Sequence, residues 1–166
     1  MKAAYLEEKN KLVVRKDYPI PKLNSDGVLV KVLRSHVLSF TNALVAGYLP
    51  APIPLIPGPS CIGIVEKLGN SLLGNIKIGD LVFCAPTIGG IPDGILQGWI
   101  GFGTPSSKKL QELWHNGSFA EYACYPAFNV YPISSPKLAK MNLSSLATLN
   151  YLGIAYGACQ RGNLKS

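Results

Sequence analysis

Thirteen prolines and seventeen glycines break this 166-residue chain into short apolar runs almost everywhere. Proline lacks the N–H that a helix interior or a central strand requires, and glycine loses the most backbone entropy when fixed in either. The breaks are densest between Leu49 and Pro59, where five prolines exclude a central strand and predict a surface-running loop. Runs this short, bounded by turn residues, predict a mostly β domain with short helices.

Residues 2–6 and 11–15 read as a hairpin with Glu8-Lys9-Asn10 at its turn. Asp26-Gly27 is a turn before Val28-Leu29-Val30-Lys31-Val32-Leu33, whose β-branched content predicts a strand. The alternation stops over 39–46, which predicts a short helix ending at Gly47. Strands resume over 62–68 and 80–85. The segment Pro86 to Gly103, rich in Gly and Pro with isolated large apolar residues, predicts a long ordered lobe. Thr104 as N-cap and Pro105 in the first helical position start a helix through Trp114. Asn116-Gly117 is a turn before strands over 118–124 and 129–131. One longer helix over 142–159, opened by Asn142 or Ser144, closes the chain.

With 48% hydrophobic and 15% charged residues, the chain can bury a core without disulfide or metal support. The net charge of +7 is spread over scattered lysines and arginines, and Lys108-Lys109 has no interleaved aromatics, so nucleic acid is not an expected partner. Cys61, Cys84, Cys124 and Cys159 are far apart in apolar segments, outside zinc-ribbon spacing, and read as buried thiols of a reducing cytoplasm. The N-terminus has no long apolar core or small-residue cleavage site, and no run of about 18 apolar residues suits a membrane.

The segments Met1-Lys2-Ala3-Ala4, Asp26-Gly27-Val28-Leu29-Val30-Lys31-Val32, Gly63-Ile64-Val65-Glu66-Lys67-Leu68-Gly69, Ile78-Gly79-Asp80-Leu81-Val82 and Gly117-Ser118-Phe119-Ala120-Glu121-Tyr122 follow one another in a telling order. Together they resemble the N-terminal catalytic domain of the medium-chain dehydrogenase/reductase family, over nearly the whole chain. The resemblance implies a GroES-like, partly open β-barrel over residues 1–140. Residues 141–166 are then a connecting helix and the start of a nucleotide-binding Rossmann domain. Ala155-Tyr156-Gly157-Ala158 resembles the crossing helix, and Gly162-Asn163-Leu164-Lys165 precedes the place where that domain's strand and Gly-rich loop are expected. No G-x-G-x-x-G fingerprint occurs in the chain. A domain without its cofactor half is expected to be inactive alone, and to dimerise or show limited solubility.

In zinc members of that family the three catalytic ligands fall on positions matching Ser39, Pro59 and Asn150, and the residue after the His ligand is a Glu that matches Ser60. A hydroxyl, a proline ring and an amide do not replace thiolate, imidazole and carboxylate, so the resemblance implies no zinc. It points instead to the quinone-oxidoreductase-like or enone-reductase-like branch, using NADP or NAD. Hydride delivery to a quinone or enone yields a delocalised, weakly basic oxyanion that neutral donors can stabilise, unlike an alkoxide. Ser39, Thr41 and Asn42 are the implied catalytic donors. Thr41 and Asn150 are placed toward the nicotinamide, and Tyr48, Pro59 and Ser60 toward the substrate pocket. The residues themselves leave Ser39 and Thr41 open as plain helix caps. His36 and His115 lack triad spacing and read as structural, and Trp99 and Trp114 as core or lid. A second reading stays open, a stand-alone binding or assembly module that uses the barrel without redox chemistry.

Overall fold

The structure is a computed structural model that describes residues 1–70 and 75–162. The described strands are β1 (Ala3–Glu8), β2 (Lys11–Arg15), β3 (Gly27–Ser35), β4 (Cys61–Leu68), β5 (Leu81–Cys84), β6 (Thr87–Ile88), β7 (Ile95–Leu96), β8 (Tyr122–Pro126) and β9 (Val130–Pro132). β1 and β2 form the expected hairpin, with Asn10 at φ 61° in its turn, a conformation asparagine tolerates. The antiparallel main sheet runs in the order β8-β3-β4-β5-β9 and does not close on itself. β6 and β7 form a small hairpin within the lobe that follows β5.

Alternation in the central strands builds the core. Val28 and Val30 of β3, Cys61 and Val65 of β4, Val82 and Cys84 of β5, and Ala123 and Tyr125 of β8 all point to one buried side. The helix α1 (Thr41–Val45) ends before Gly47, whose φ of 75° makes the expected left-handed stop. In α2 (Pro105–Leu113), the Thr104 hydroxyl accepts a hydrogen bond from the Ser107 N–H, as the Thr-Pro signal predicts.

Four local expectations need correction. The proline-rich segment runs over the surface only in its first half, and 55–60 are buried. Pro57 and Pro59 have no N–H to satisfy, and the carbonyls of Ile56, Pro57 and Gly58 accept from the N–H groups of Gly117, Phe119 and Ser118. Leu55 and Leu6 exchange a reciprocal backbone pair. Those same bonds delay β8 to Tyr122, because 118–121 are shared between the proline segment and β1.

The terminal helix is also not continuous. The expected helix over 142–159 divides into α4 (Leu143–Leu146) and α5 (Leu149–Arg161), and a further short helix, α3 (Pro136–Ala139), precedes it. Asn142 caps α4 by accepting from the Ser144 N–H, and the Thr148 hydroxyl donates to the Ser145 carbonyl at the break. Leu146 and Ala147 at the break bury against Ile62, while α5 has no buried residue. Finally, only Cys61 and Cys84 are buried thiols, Cys124 is half-buried, and Cys159 is exposed on α5. Residues 163–166, the expected lead into a further domain, lie outside the described residues.

Candidate active site

A cleft of about 550 Å³ opens where the β3–α1 connection, the lobe after β5 and α5 converge. Leu38 and Phe40 come from the β3–α1 connection, Leu49 and Pro59 from the two ends of the proline-rich segment. Leu96, Trp99 and Ile100 come from the lobe, and Asn150, Tyr151 and Ile154 from α5. Trp99 is held beneath the site by Leu38 and Leu44, and Phe40 meets it edge-on at 5.8 Å. No charged side chain lines the cleft, and its polar groups are those of Thr87, Asn150 and Tyr151 and the indole N–H of Trp99.

At the rim, the Ser39 hydroxyl stands 3.5 Å from the Tyr151 hydroxyl, at the limit of a hydrogen bond. The His36 ring packs edge-on against Tyr151, centroids 5.0 Å apart. Thr41 opens α1 without capping it, and its hydroxyl is buried with no hydrogen-bond partner, as is His36 Nδ1. An uncharged, mostly apolar cleft with a few neutral donors strengthens the polar contacts of a ligand that displaces its water.

Residues 24–135 match the alcohol dehydrogenase GroES-like domain. The chain belongs to that family. It is a dehydrogenase-type catalytic domain of the medium-chain dehydrogenase/reductase family. D-arabinitol dehydrogenase 1 of Uromyces fabae is 32% identical to this GroES-like domain over 139 residues, 81% of the chain and 38% of that relative. A cobalt- and zinc-bound thermostable alcohol dehydrogenase from Pyrobaculum aerophilum superposes with a TM-score of 0.68 at 25% identity, over 90% of this chain and 44% of that one. An Escherichia coli oxidoreductase/dehydrogenase of unknown specificity, involved in membrane biogenesis, superposes with a TM-score of 0.76 at 17% identity, over 99% of this chain and 48% of that one. The chain thus spans less than half the length of each.

Pro59 of the GroES-like domain and Asn150 of α5 line the same cleft, and Ser39 reaches its rim through Tyr151. These are the three positions matched to zinc ligands, and their donor set does not fit zinc. Among the described residues, no three His, Cys, Asp or Glu side chains gather into a group able to hold a metal ion. Asn42 is exposed on α1. Thr41, Asn42, Tyr48 and Ser60 all lie outside the cleft lining. Tyr48 follows the turn at Gly47 and stands 83% exposed, outside the lining. Ser60 is fully buried, its carbonyl accepting from the hydroxyls of Ser35 and Ser118.

His115 is structural, its Nε2 lying 2.6 Å from the Pro54 carbonyl oxygen, and Trp114 packs with Ile88 and Ile95 in a separate core. Sequence reading missed Tyr151, Ile154 and Thr87. The first two follow Asn150 by one and four residues, a spacing that places all three on one side of a helix.

Proposed function

We propose that this domain forms the substrate side of a cytoplasmic, zinc-independent oxidoreductase that passes hydride from NADP or NAD to a quinone, an enone or a related apolar carbonyl. The observation that carries the proposal is a single one. Pro59 and Asn150 line, and Ser39 adjoins, a cleft without charged groups, and the family resemblance matches these three residues to metal-ligand positions. The relative named for a polyol, D-arabinitol, is matched here by walls of Leu38, Phe40, Trp99, Ile100 and Ile154, which favour an apolar substrate. Four free cysteines suit a reducing compartment, and among the described residues no helix is long and apolar enough to cross a membrane.

The residues present fit the nicotinamide end of the cofactor. The buried, unpartnered Thr41 hydroxyl has unused hydrogen-bonding capacity, Asn42 is exposed beside it, and the Asn150 amide lies in the cleft. Thr41 and Asn42 take the ribose side and Asn150 the ring. When bound, the cofactor supplies the hydride; Ser39 and the apolar walls orient the acceptor and exclude water. Residues 1–140 then form the catalytic domain and 141–166 the connection toward a nucleotide-binding domain. Without a phosphate-cradling Gly-rich loop, the 166-residue chain is expected to bind NADPH poorly and not to turn over alone.

The test is NADPH or NADH oxidation by the product of the complete reading frame that carries this domain, with 2-cyclohexen-1-one and 1,4-benzoquinone as acceptors. Turnover unaffected by EDTA supports the proposal. Loss of turnover on chelation, or no oxidation with either acceptor, overturns it.

A further inference from the structure

We propose that the Tyr151 hydroxyl donates the hydrogen bond that holds and polarises the oxygen of the carbonyl substrate, with Ser39 as its positioning residue. This rests on the oxidoreductase reading of the same cleft and assigns its substrate-oxygen contact. A carbonyl oxygen entering a cleft walled by Leu38, Phe40, Trp99 and Ile154 gives up its water, so it needs a protein donor or the binding energy is lost.

Four side chains in the lining can donate, those of Thr87, Trp99, Asn150 and Tyr151. Thr87 is exposed on the short strand β6 and has only an aliphatic hydroxyl, the Trp99 indole is buried with Leu38 and Leu44, and Asn150 is committed to the nicotinamide in the proposed arrangement. Tyr151 remains. A phenol is the most acidic neutral hydroxyl among side chains, and therefore a strong donor toward an oxygen on which negative charge grows. Its ring is steadied by the edge contact with His36 at 5.0 Å. Its only hydrogen-bond partner among the described residues is the Ser39 hydroxyl at 3.5 Å. A bond that long orients the phenol but satisfies it weakly, so the proton stays available to a ligand that approaches closer. The position next to the absent metal-ligand set is thus served by a neutral donor.

The test measures binding of 2-acetylnaphthalene and of 2-ethylnaphthalene, the same ring system without the ketone oxygen, to the 166-residue chain by equilibrium dialysis. The ketone is expected to bind about three- to tenfold more tightly than the hydrocarbon, the net worth of one hydrogen bond. Tyr151→Phe is expected to erase that preference while leaving hydrocarbon affinity unchanged, which a purely structural role does not produce. Ser39→Ala is expected to reduce the preference by a smaller factor. A ketone preference that survives Tyr151→Phe, or equal loss for both probes, overturns the role of Tyr151. An unchanged preference in Ser39→Ala overturns the positioning role of Ser39. If wild-type protein binds neither probe, the cleft itself is not a site for apolar carbonyls and the broader reading falls with it.

Discussion

Gly58 shows how one residue sets the approach to the cleft. At φ 107° it occupies a backbone region that side chains rarely enter, and a Cβ there would lie 2.6 Å from Phe119 Cδ1 and 2.8 Å from the Phe119 nitrogen. Its carbonyl accepts from both the N–H and the hydroxyl of Ser118, which fixes Pro59 against the cleft. Gly58→Ala is expected to destabilise the fold by about 3 kcal/mol, read as a shifted urea midpoint with an unchanged slope. Neutral behaviour would show that the segment relaxes freely. At this scale the sequence was readable where a residue type limits backbone or ligand chemistry, as at Gly47, Thr104, Pro59 and Asn150. It was not readable for Tyr48, Ser60 and Tyr151, because which way a side chain faces depends on where distant segments pack. Ser60 is enclosed by hydroxyls from Ser35 and Ser118, partners 25 and 58 residues away.

Among the elements, the lobe after β5 brings Leu96, Trp99 and Ile100 to the cleft, and Gln97 anchors it from behind. The Gln97 side chain is almost fully buried, and its Nε2 donates to the carbonyls of Asn116 and Cys124 at 2.9 and 2.7 Å. Gln97→Leu leaves both carbonyls without that donor, at about 1–3 kcal/mol each where they stay dry. The expected result is faster amide exchange over 95–101 and weaker ligand binding in the cleft; protection equal to wild type would contradict it. The lobe was legible as ordered structure from its isolated large apolar residues. Its anchor was not, since a lone glutamine in a Gly-rich stretch looks like any solvated polar residue. The division of the terminal helix was hidden for a related reason. Asn142 was a visible cap, but the break near Ala147 follows from burying Leu146 and Ala147 against Ile62, a contact no local pattern encodes.

For the whole molecule, the buried ionisable groups set the response to alkali. Burial raises the thiols of Cys84 and Cys124 and the phenol of Tyr125, with Cys124 raised from 9.0 to about 11. Between those two values the unfolded chain has released the Cys124 proton while the folded chain retains it, so stability falls as pH rises through that window. Cys124 alone contributes a loss of about 2–3 kcal/mol between pH 9 and 11. Urea unfolding at pH 8 and pH 10.5 measures it, and Cys124→Ala is expected to flatten part of the slope; an identical slope in the variant would contradict the assignment. The exposed apolar residues of α5, Leu152, Ile154 and Tyr156, favour self-association of the isolated chain. Sedimentation is expected to show dimers that dissociate on Ile154→Lys, and a monomer at high concentration would contradict this.

The open sheet was legible because its strand signals are local and ordered, whereas the assembly of the cleft depends on α5 crossing to the β3–α1 connection. The central claim, hydride chemistry without a metal at that cleft, is tested most directly by metal analysis of protein purified after growth and dialysis with added zinc. The expected result is zinc far below one equivalent per chain. Retention of a full equivalent, lost on Asn150→Ala, would contradict it.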